Sequence, residues 1–458
     1  MDPWKDSRNY LVERLSRKME RKNLLINHGK VWRNGALQEI NINIEDGKIK
    51  NLYPTEKKVM DSFPIIDASN CYVFPGGVDI HAHIQDGAET FFGGSSSAVK
   101  GGITTVIDMP PFKTVTNRKQ CEQRIQWGEG ECVSDFGLTG GIIIDLEDLQ
   151  NLDEIRGCGV RQFKVFMLSN PPMEVLWRSV QFAAKTGLRL VVHMEEPTLL
   201  KEVDWNDPLG FTKANPPEAE NAAAAHMLEM ARAAGAPIHV CHVSSARTVE
   251  LIDQYKGWGT DVTAETAPHY LILNEDEFFT QADRVVVTPA LRKEKDNMIL
   301  WQALEDGVVD AIISDHFLGA LPDPTKERPS AKDAEPGIAG LELTIPLLFD
   351  QGVAAGKISM KRFVETLSTE PAKLAGIGDR KGEIEKGMDA DLVIFNPAKI
   401  WEVHDLGEGS RISTLPYEGW QIKGKVDKTL VRGKVVWDGK IIVCEPGWGK
   451  YIPASDLA

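Results

Sequence analysis

The chain has 458 residues, which is enough for one large domain or two. Hydrophobic residues make up 42% and charged residues 26%, a composition that excludes disordered and fibrous proteins. The 67 acidic residues against 52 basic ones give a formal net charge of -15, so we expect neither nucleic acid nor an anionic membrane as a partner.

Residues 1–22 predict a short N-terminal helical extension, because Leu11, Leu15 and Met19 recur every four residues. The six cysteines form no C-x-x-C pair, so we expect neither a thiolate zinc site nor a disulfide framework. Reduced thiols favour a cytoplasmic protein. No run of about 18 apolar residues is present, and the sequence therefore predicts no membrane span.

Short alternating segments, typical of antiparallel strands, begin at Asn23 and return near the C-terminus in residues 389–396 and 429–442. Turn signals such as Asp46-Gly47 separate them. These two ends predict one small composite β-sandwich domain, formed by residues 23–75 and 380–447. Residues 448–458 are predicted to form a C-terminal tail.

Between these ends, residues 76–379 alternate apolar strand-like runs with helical ones. The eight runs are residues 78–83, 103–109, 136–144, 160–167, 188–194, 237–243, 262–268 and 309–316. Eight such units predict an α/β fold, a closed (β/α)8 TIM barrel. In this barrel the active site lies at the C-terminal ends of the strands, so polar residues there are candidates for function.

Metal-ligating residue types cluster at those strand ends. His81 and His83 are two residues apart and face the same side of a strand. The other candidates are Lys164, His193, His242 and Asp315. Strand parity predicts that His239, three residues before His242, faces outward. The nearby Glu195, Glu196 and His269 are expected to be structural.

Lys164 fits this set only in a modified form, because an ammonium group would be repelled by divalent cations. A buried lysine amine can react with carbon dioxide, and the resulting carbamate has two oxygens that can bridge two ions. The six residues then supply enough ligands for two divalent metal ions, with zinc favoured by the imidazoles and manganese, iron or cobalt as alternatives.

Several segments together resemble the cyclic amidohydrolases, the group of dihydroorotase, allantoinase and hydantoinase or dihydropyrimidinase. They are VDIHAH (78–83), GGITTVIDMP (101–110), FKVFM (163–167), VVHMEE (191–196), HVCHVSSA (239–246), AETAPHYL (264–271) and IISDH (312–316). The resemblance covers about residues 23–439. It implies a metal-dependent barrel with a small β-domain, in a homotetramer.

The resemblance also implies a role for each strand-end residue. His81 and His83 would hold one metal, His193 and His242 the other, and carboxylated Lys164 would bridge the two. Asp315 would bind the first metal and act as general base and then general acid. A metal-bridging hydroxide would attack the ring carbonyl and open a cyclic amide or ureide.

Gln85 indicates which ring is opened. Dihydroorotases carry an arginine at this position to bind the substrate carboxylate, so a small neutral ring is favoured here. We predict allantoin as the substrate, with hydantoin, dihydropyrimidine or another cyclic imide as the alternative and dihydroorotate below both. Candidate substrate contacts are Gln85, Thr288, Pro289, Arg292, Ser314, His316, Gly337 and Gly340.

Two further alternatives stay open. Residues 318–337 are long, polar and rich in proline, and they follow the eighth run directly, so they form either a lid or a surface loop. Some relatives have lost their metal ligands and act as interaction proteins. Because all six ligand positions are present here, an enzyme is favoured.

Overall fold

The computed structural model describes residues 23–55, 63–319, 330–407, 409–410 and 414–455. The predicted helical extension at 1–22 lies outside the described residues, as do residues 320–329 of the segment predicted to be either a lid or a surface loop. The strands are β1 (Asn23–Asn27), β2 (Lys30–Arg33), β3 (Ala36–Glu45), β4 (Lys48–Pro54), β5 (Ile65–Asp67), β6 (Tyr72–Pro75), β7 (Gly77–Ala82), β8 (Ile103–Asp108), β9 (Asp135–Leu138), β10 (Gly140–Ile143), β11 (Gln162–Phe166), β12 (Arg189–His193), β13 (Ile238–Val240), β14 (Val262–Thr266), β15 (Ala311–Ile312), β16 (Leu392–Glu402), β17 (Gln421–Val431) and β18 (Lys434–Trp437).

The α-helices are α1 (Phe91–Lys100), α2 (Arg118–Glu131), α3 (Met173–Thr186), α4 (Gly210–Ala214), α5 (Pro217–Ala234), α6 (Ala246–Gly257), α7 (Pro268–Ile272), α8 (Phe278–Gln281), α9 (Glu294–Asp306), α10 (Thr344–Leu348), α11 (Met360–Val364) and α12 (Glu370–Leu374). Polar caps begin several of them: the Thr90 side chain accepts a hydrogen bond from the backbone of Gly93, and Asn117 accepts one from Gln120. Gly187 and Gly235 end α3 and α5 in the left-handed conformation that glycine favours.

A closed barrel of eight parallel strands forms the centre of the molecule. β7, β8 and β9 pair in that order, and β10 to β15 pair in theirs. β9 and β10 are two parts of the third strand, separated by Thr139. The barrel closes where Ala82 pairs with His316 and the Asp315 amide donates to the His81 carbonyl at 3.1 Å. The predicted (β/α)8 barrel is confirmed.

The small domain is a curled sheet to which both ends of the described chain contribute. β6 pairs with β2 in parallel and with β16 antiparallel, so the N-terminal strands meet the C-terminal ones in the middle of the sheet. Ile42, Val73, Leu392 and Leu430 are buried in its core. The composite β-domain is confirmed, and its boundaries at 23–75 and 380–447 stay a prediction.

Charged groups join the small domain to the N-terminal end of the barrel. Lys381 is buried and donates hydrogen bonds to Asp391 and, at 2.7 Å, to Asp135 at the start of β9. The final described segment crosses the same end, where the Ile452 amide donates to the Phe136 carbonyl at 2.8 Å. The opposite, C-terminal end of the barrel carries the candidate site residues. Within the described ranges, no helix combines the length and apolarity needed to cross a membrane.

Candidate metal centre

His81, His83 and Asp315 converge where the first and last strands of the barrel meet. Asp315 Oδ1 lies 3.5 Å from His81 Nε2 and 3.9 Å from His83 Nε2. One ligand atom from each of the three falls within the span of a single cation. The very short strand β15 ends at Ile312, three residues before Asp315. The Asp315 backbone has a left-handed φ of 47°, and its carboxylate faces the two imidazoles.

His193 and His242 form a second pair at the ends of the fifth and sixth strands. His193 Nδ1 and His242 Nε2 are 3.0 Å apart, and both rings are buried. Burial, assisted by repulsion from His193, lowers the pKa of His242 well below its usual value. A neutral imidazole is the form that binds a metal. The His81 and His242 rings have centroids 5.4 Å apart, so the two pairs are neighbours.

Lys164 extends from β11 into this group. Its Nζ lies 3.4 Å from His81 Nε2 and donates to Cys241 Sγ at 3.0 Å. The side chain is buried, and within the described part of the chain no carboxylate forms an ion pair with it. Lys164 therefore lies beside the histidines without a counterion. The donor set of four imidazoles, one carboxylate and one modifiable amine fits two divalent cations.

Two buried glutamates support the histidines, and the sequence interpretation missed both roles. Glu265 on β14 bonds His81 Nδ1 and lies 3.0 Å from His239 Nε2. Burial alone would raise the pKa of Glu265, but attraction and hydrogen bonds from His81 and His239 lower it far more. Glu195 Oε2 is 2.7 Å from His193 Nε2. A carboxylate behind a histidine selects its tautomer and orients the ring, which explains the Nε2 and Nδ1 positions above.

The predicted outward position of His239 is wrong. The prediction places it under a helix, but His239 lies in register with Val191 and Lys164 on the neighbouring strands. Its ring contacts Thr263 Oγ1 at 2.7 Å and Glu265, which also bonds the inward-facing His81. Parity fails because the regular strand ends at Val240 and His242 has a φ of 33°, so the two histidines are not on one continuous pleat. Glu195, expected to be merely structural, instead contacts a candidate ligand. For Glu195 the two-residue spacing from His193 was an available signal, whereas Glu265 lies in a different segment from both of its histidine partners.

The predicted substrate contacts near the first strand are largely engaged with the protein. Gln85 Oε1 accepts a hydrogen bond from the Phe91 amide at 2.9 Å, at the start of α1. Ser314 Oγ accepts from the His316 amide at 3.1 Å. The His316 ring is fully buried and lies 3.3 Å from Glu89. A direct substrate contact of each stays a prediction.

The remaining predicted contacts lie on loops around the same end of the barrel. Thr288 is partly exposed, while the carbonyl of Pro289 accepts a hydrogen bond from the Tyr270 hydroxyl at 2.6 Å. The amide of Gly337 donates to Val286 and that of Gly340 to Ile338. Arg292 is buried.

Arg292 interacts with three groups of the protein. Its Nη1 donates to the Asn215 carbonyl at 2.6 Å and its Nε to Ser244 Oγ at 2.9 Å, while Nη2 lies 3.5 Å from Glu220 Oε2. Glu220 in turn accepts from the Ser244 and Ser245 amides. The guanidinium is thus part of a buried network, and its role in substrate binding stays a prediction.

Comparison with known proteins identifies the family to which this fold belongs. The sequence pattern of the Amidohydrolase family matches residues 72–436, which include all six candidate ligands. The chain belongs to the amidohydrolase family. A D-hydantoinase of Ralstonia pickettii is 30% identical to it over 94% of this chain and 98% of the relative.

Other amidohydrolases are equally similar. A dihydroorotase of Trichlorobacter lovleyi is 33% identical, over 91% of this chain and all of its own. An allantoinase of Salmonella choleraesuis is 30% identical, over 94% and 98%. A D-hydantoinase crystal structure superposes with a TM-score of 0.87 at 29% identity, covering 94% of this chain and 99% of the other. A dihydropyrimidinase structure from Brevibacillus agri gives 0.86 at 28%, covering 95% and 99%.

These amidohydrolases share the hydrolysis of a cyclic amide and differ in the ring. The chain is accordingly a metal-dependent hydrolase of cyclic amides. Near-equal identity to three kinds of relative confirms the predicted group but does not confirm allantoinase as its nearest member.

Proposed function

We propose that the protein opens the ring of a small neutral cyclic ureide, with allantoin as the first candidate. The supporting observation is that two buried arginines in the described part of the barrel are already engaged. Arg292 belongs to the network with Glu220, and buried Arg124 donates to Asp108 at 2.6 Å. Gln85 occupies the position where an arginine would bind a substrate carboxylate. Among the described residues, neither of these two arginines is then free to bind an anionic ring.

Two divalent ions are proposed to bind at this centre. His81, His83 and Asp315 would hold one, and His193 and His242 the other. Lys164, carboxylated by carbon dioxide, would be shared between them. When bound, such ions lower the pKa of a coordinated water and polarise a carbonyl.

Asp315 is the group best placed to move protons. Its side chain is 13% exposed and that of His83 is 20% exposed, whereas His81, Lys164, His193 and His242 are nearly inaccessible. Of the two exposed groups, Asp315 is the carboxylate, and it can accept a proton while His83 would be held by the metal. Its carboxylate would take a proton from the attacking water and deliver it to the departing ring nitrogen. Asp315→Asn should keep the metal and lose turnover by about 10²-fold or more. Near-normal turnover would refute this role.

Hydantoin or dihydropyrimidine is the second candidate, favoured by the TM-scores of 0.86 to 0.87 with enzymes of those names. The segment VFMLS after Lys164 has no tyrosine, whereas hydantoinases usually place a substrate-binding tyrosine there. That difference keeps allantoin first. We also propose zinc as the native metal, a homotetrameric assembly and a cytoplasmic location.

A substrate panel tests the proposal directly. Purified, metal-reconstituted protein would be assayed with allantoin, hydantoin, dihydrouracil, dihydroorotate and a cyclic imide, with the Asp315→Asn variant as control. The largest kcat/KM is expected for allantoin. Preferred turnover of another neutral ring would replace the substrate assignment, and preferred turnover of dihydroorotate would refute the argument from charge.

A further inference from the structure

Cys241 is a buried thiol at the candidate metal centre that the proposed mechanism does not use. It directly precedes His242, and its side chain packs with Met109 and Val191 in a small apolar cluster inside the barrel. The polar neighbour of its sulfur is Lys164, whose Nζ donates to Sγ at 3.0 Å. The residue that is to be carboxylated therefore bonds the thiol directly.

Binding of a metal by the thiol is the competing interpretation. Cys241, His81 and Glu265 offer three ligand atoms within the span of one cation. However, Glu265 already bonds His81 and His239. A cation among these three would compete for the Glu265 carboxylate that orients His81. The contact between Sγ and Nζ, in contrast, requires no rearrangement.

Carboxylation changes what the nitrogen of Lys164 can offer. The neutral amine attacks the carbon of CO2, a C–N bond forms, one C=O electron pair moves to oxygen, and one N–H proton leaves to solvent. The product keeps one N–H. Because its C–N bond has partial double-bond character, as in a peptide, nitrogen, hydrogen, carbon and both oxygens lie in one plane. Fixing the direction of the N–H therefore fixes the plane of both oxygens.

We propose that Cys241 is a positioning residue for carboxylated Lys164, accepting the remaining N–H on its sulfur and so orienting the carbamate toward the two metal sites. The inference rests on the proposed function, since that proposal supplies the carbamate. It assigns Cys241 neither a metal bond nor contact with substrate.

The experiment measures carboxylation itself. Zinc-reconstituted wild type, Cys241→Ala, Cys241→Ser and Val191→Ala would be titrated with ¹³C-bicarbonate, and the carbamate carbon of each counted per chain by NMR. Val191→Ala is the matched control, because it removes apolar volume from the same cluster and keeps the thiol. Thermal unfolding would establish that each variant is folded.

We expect Cys241→Ala to raise the bicarbonate concentration for half-carboxylation by about tenfold, the usual size of an outer-shell effect. Serine, which keeps an acceptor, should restore most of the loss, and Val191→Ala should match wild type. Equal half-carboxylation in wild type and Cys241→Ala, or serine no better than alanine, would overturn the inference and leave the proposed function standing. A thiolate-to-cobalt absorption band in the Co²⁺ protein, lost in Cys241→Ser, would also overturn it. Wild type without carbamate or metal would overturn the proposed function itself.

Discussion

Replacing Glu265 with glutamine tests whether the carboxylate behind His81 determines how tightly the centre binds metal. Glu265 is almost completely buried, and it contacts His81 Nδ1 and His239 Nε2. Glutamine keeps the volume but removes the charge, and one end of its amide can only donate. At least one of the two imidazole bonds must then be lost or reversed.

The expected loss follows from those contacts. Losing an outer-shell carboxylate typically weakens metal binding by about 10- to 100-fold, which corresponds to about 1.4 to 2.7 kcal/mol. The ion at His81, His83 and Asp315 should be affected, while the ion at His193 and His242, supported by Glu195, should bind almost as before. The variant should therefore show one weakened site and one normal site.

A zinc competition titration against a chromophoric chelator would resolve the two sites. Glu196→Gln is the matched control, because that partly exposed carboxylate accepts a hydrogen bond from the Thr198 amide at 3.1 Å and contacts neither histidine pair. It should bind two ions like wild type. If Glu265→Gln also binds both ions within about twofold of wild type, the assigned orienting role is incorrect.

Three other expectations follow from contacts at the site and at the domain junction. Gln85→Arg supplies a guanidinium two residues after His83 and should raise kcat/KM for dihydroorotate relative to allantoin by about tenfold; an unchanged ratio would place Gln85 away from the substrate. Lys381→Met removes the buried cation of Asp391, while Asp135 keeps its ion pair with Arg432, and chemical denaturation should show a loss of about 3 kcal/mol. Burial lowers the pKa of His269 to about 4 from an ordinary 6.5. The neutral imidazole therefore contributes its full stability to the fold above about pH 6.5, and this contribution is lost as the pH falls toward 4. Wild type should lose about 2 kcal/mol more than His269→Gln between about pH 7 and pH 5, measured by urea unfolding.

Local sequence patterns were sufficient for the barrel and for the identity of the candidate ligands. Each run of apolar residues is long enough to mark a strand. Because the barrel places the C-terminal ends of all its strands on one face, polar residues at those ends lie close together even where the strand boundaries are not known. The shared orientation of His81 and His83 followed from the two-residue side-chain period of a strand. The composite domain was equally visible, because alternating segments with turn signals mark both ends.

The arrangement behind those ligands depended on the tertiary structure. The role of Glu265 and the inward position of His239 come from contacts that no pattern within one segment reveals, whereas Glu195 lies only two residues from His193. Glu265 reaches His81 from a strand 184 residues away in the chain. The contact between Lys164 and Cys241, 77 residues apart, is of the same kind. Strand parity holds only while a strand is regular, and these strands end at the point where the site begins. Which side chain faces which is then decided by packing between strands rather than by spacing along one.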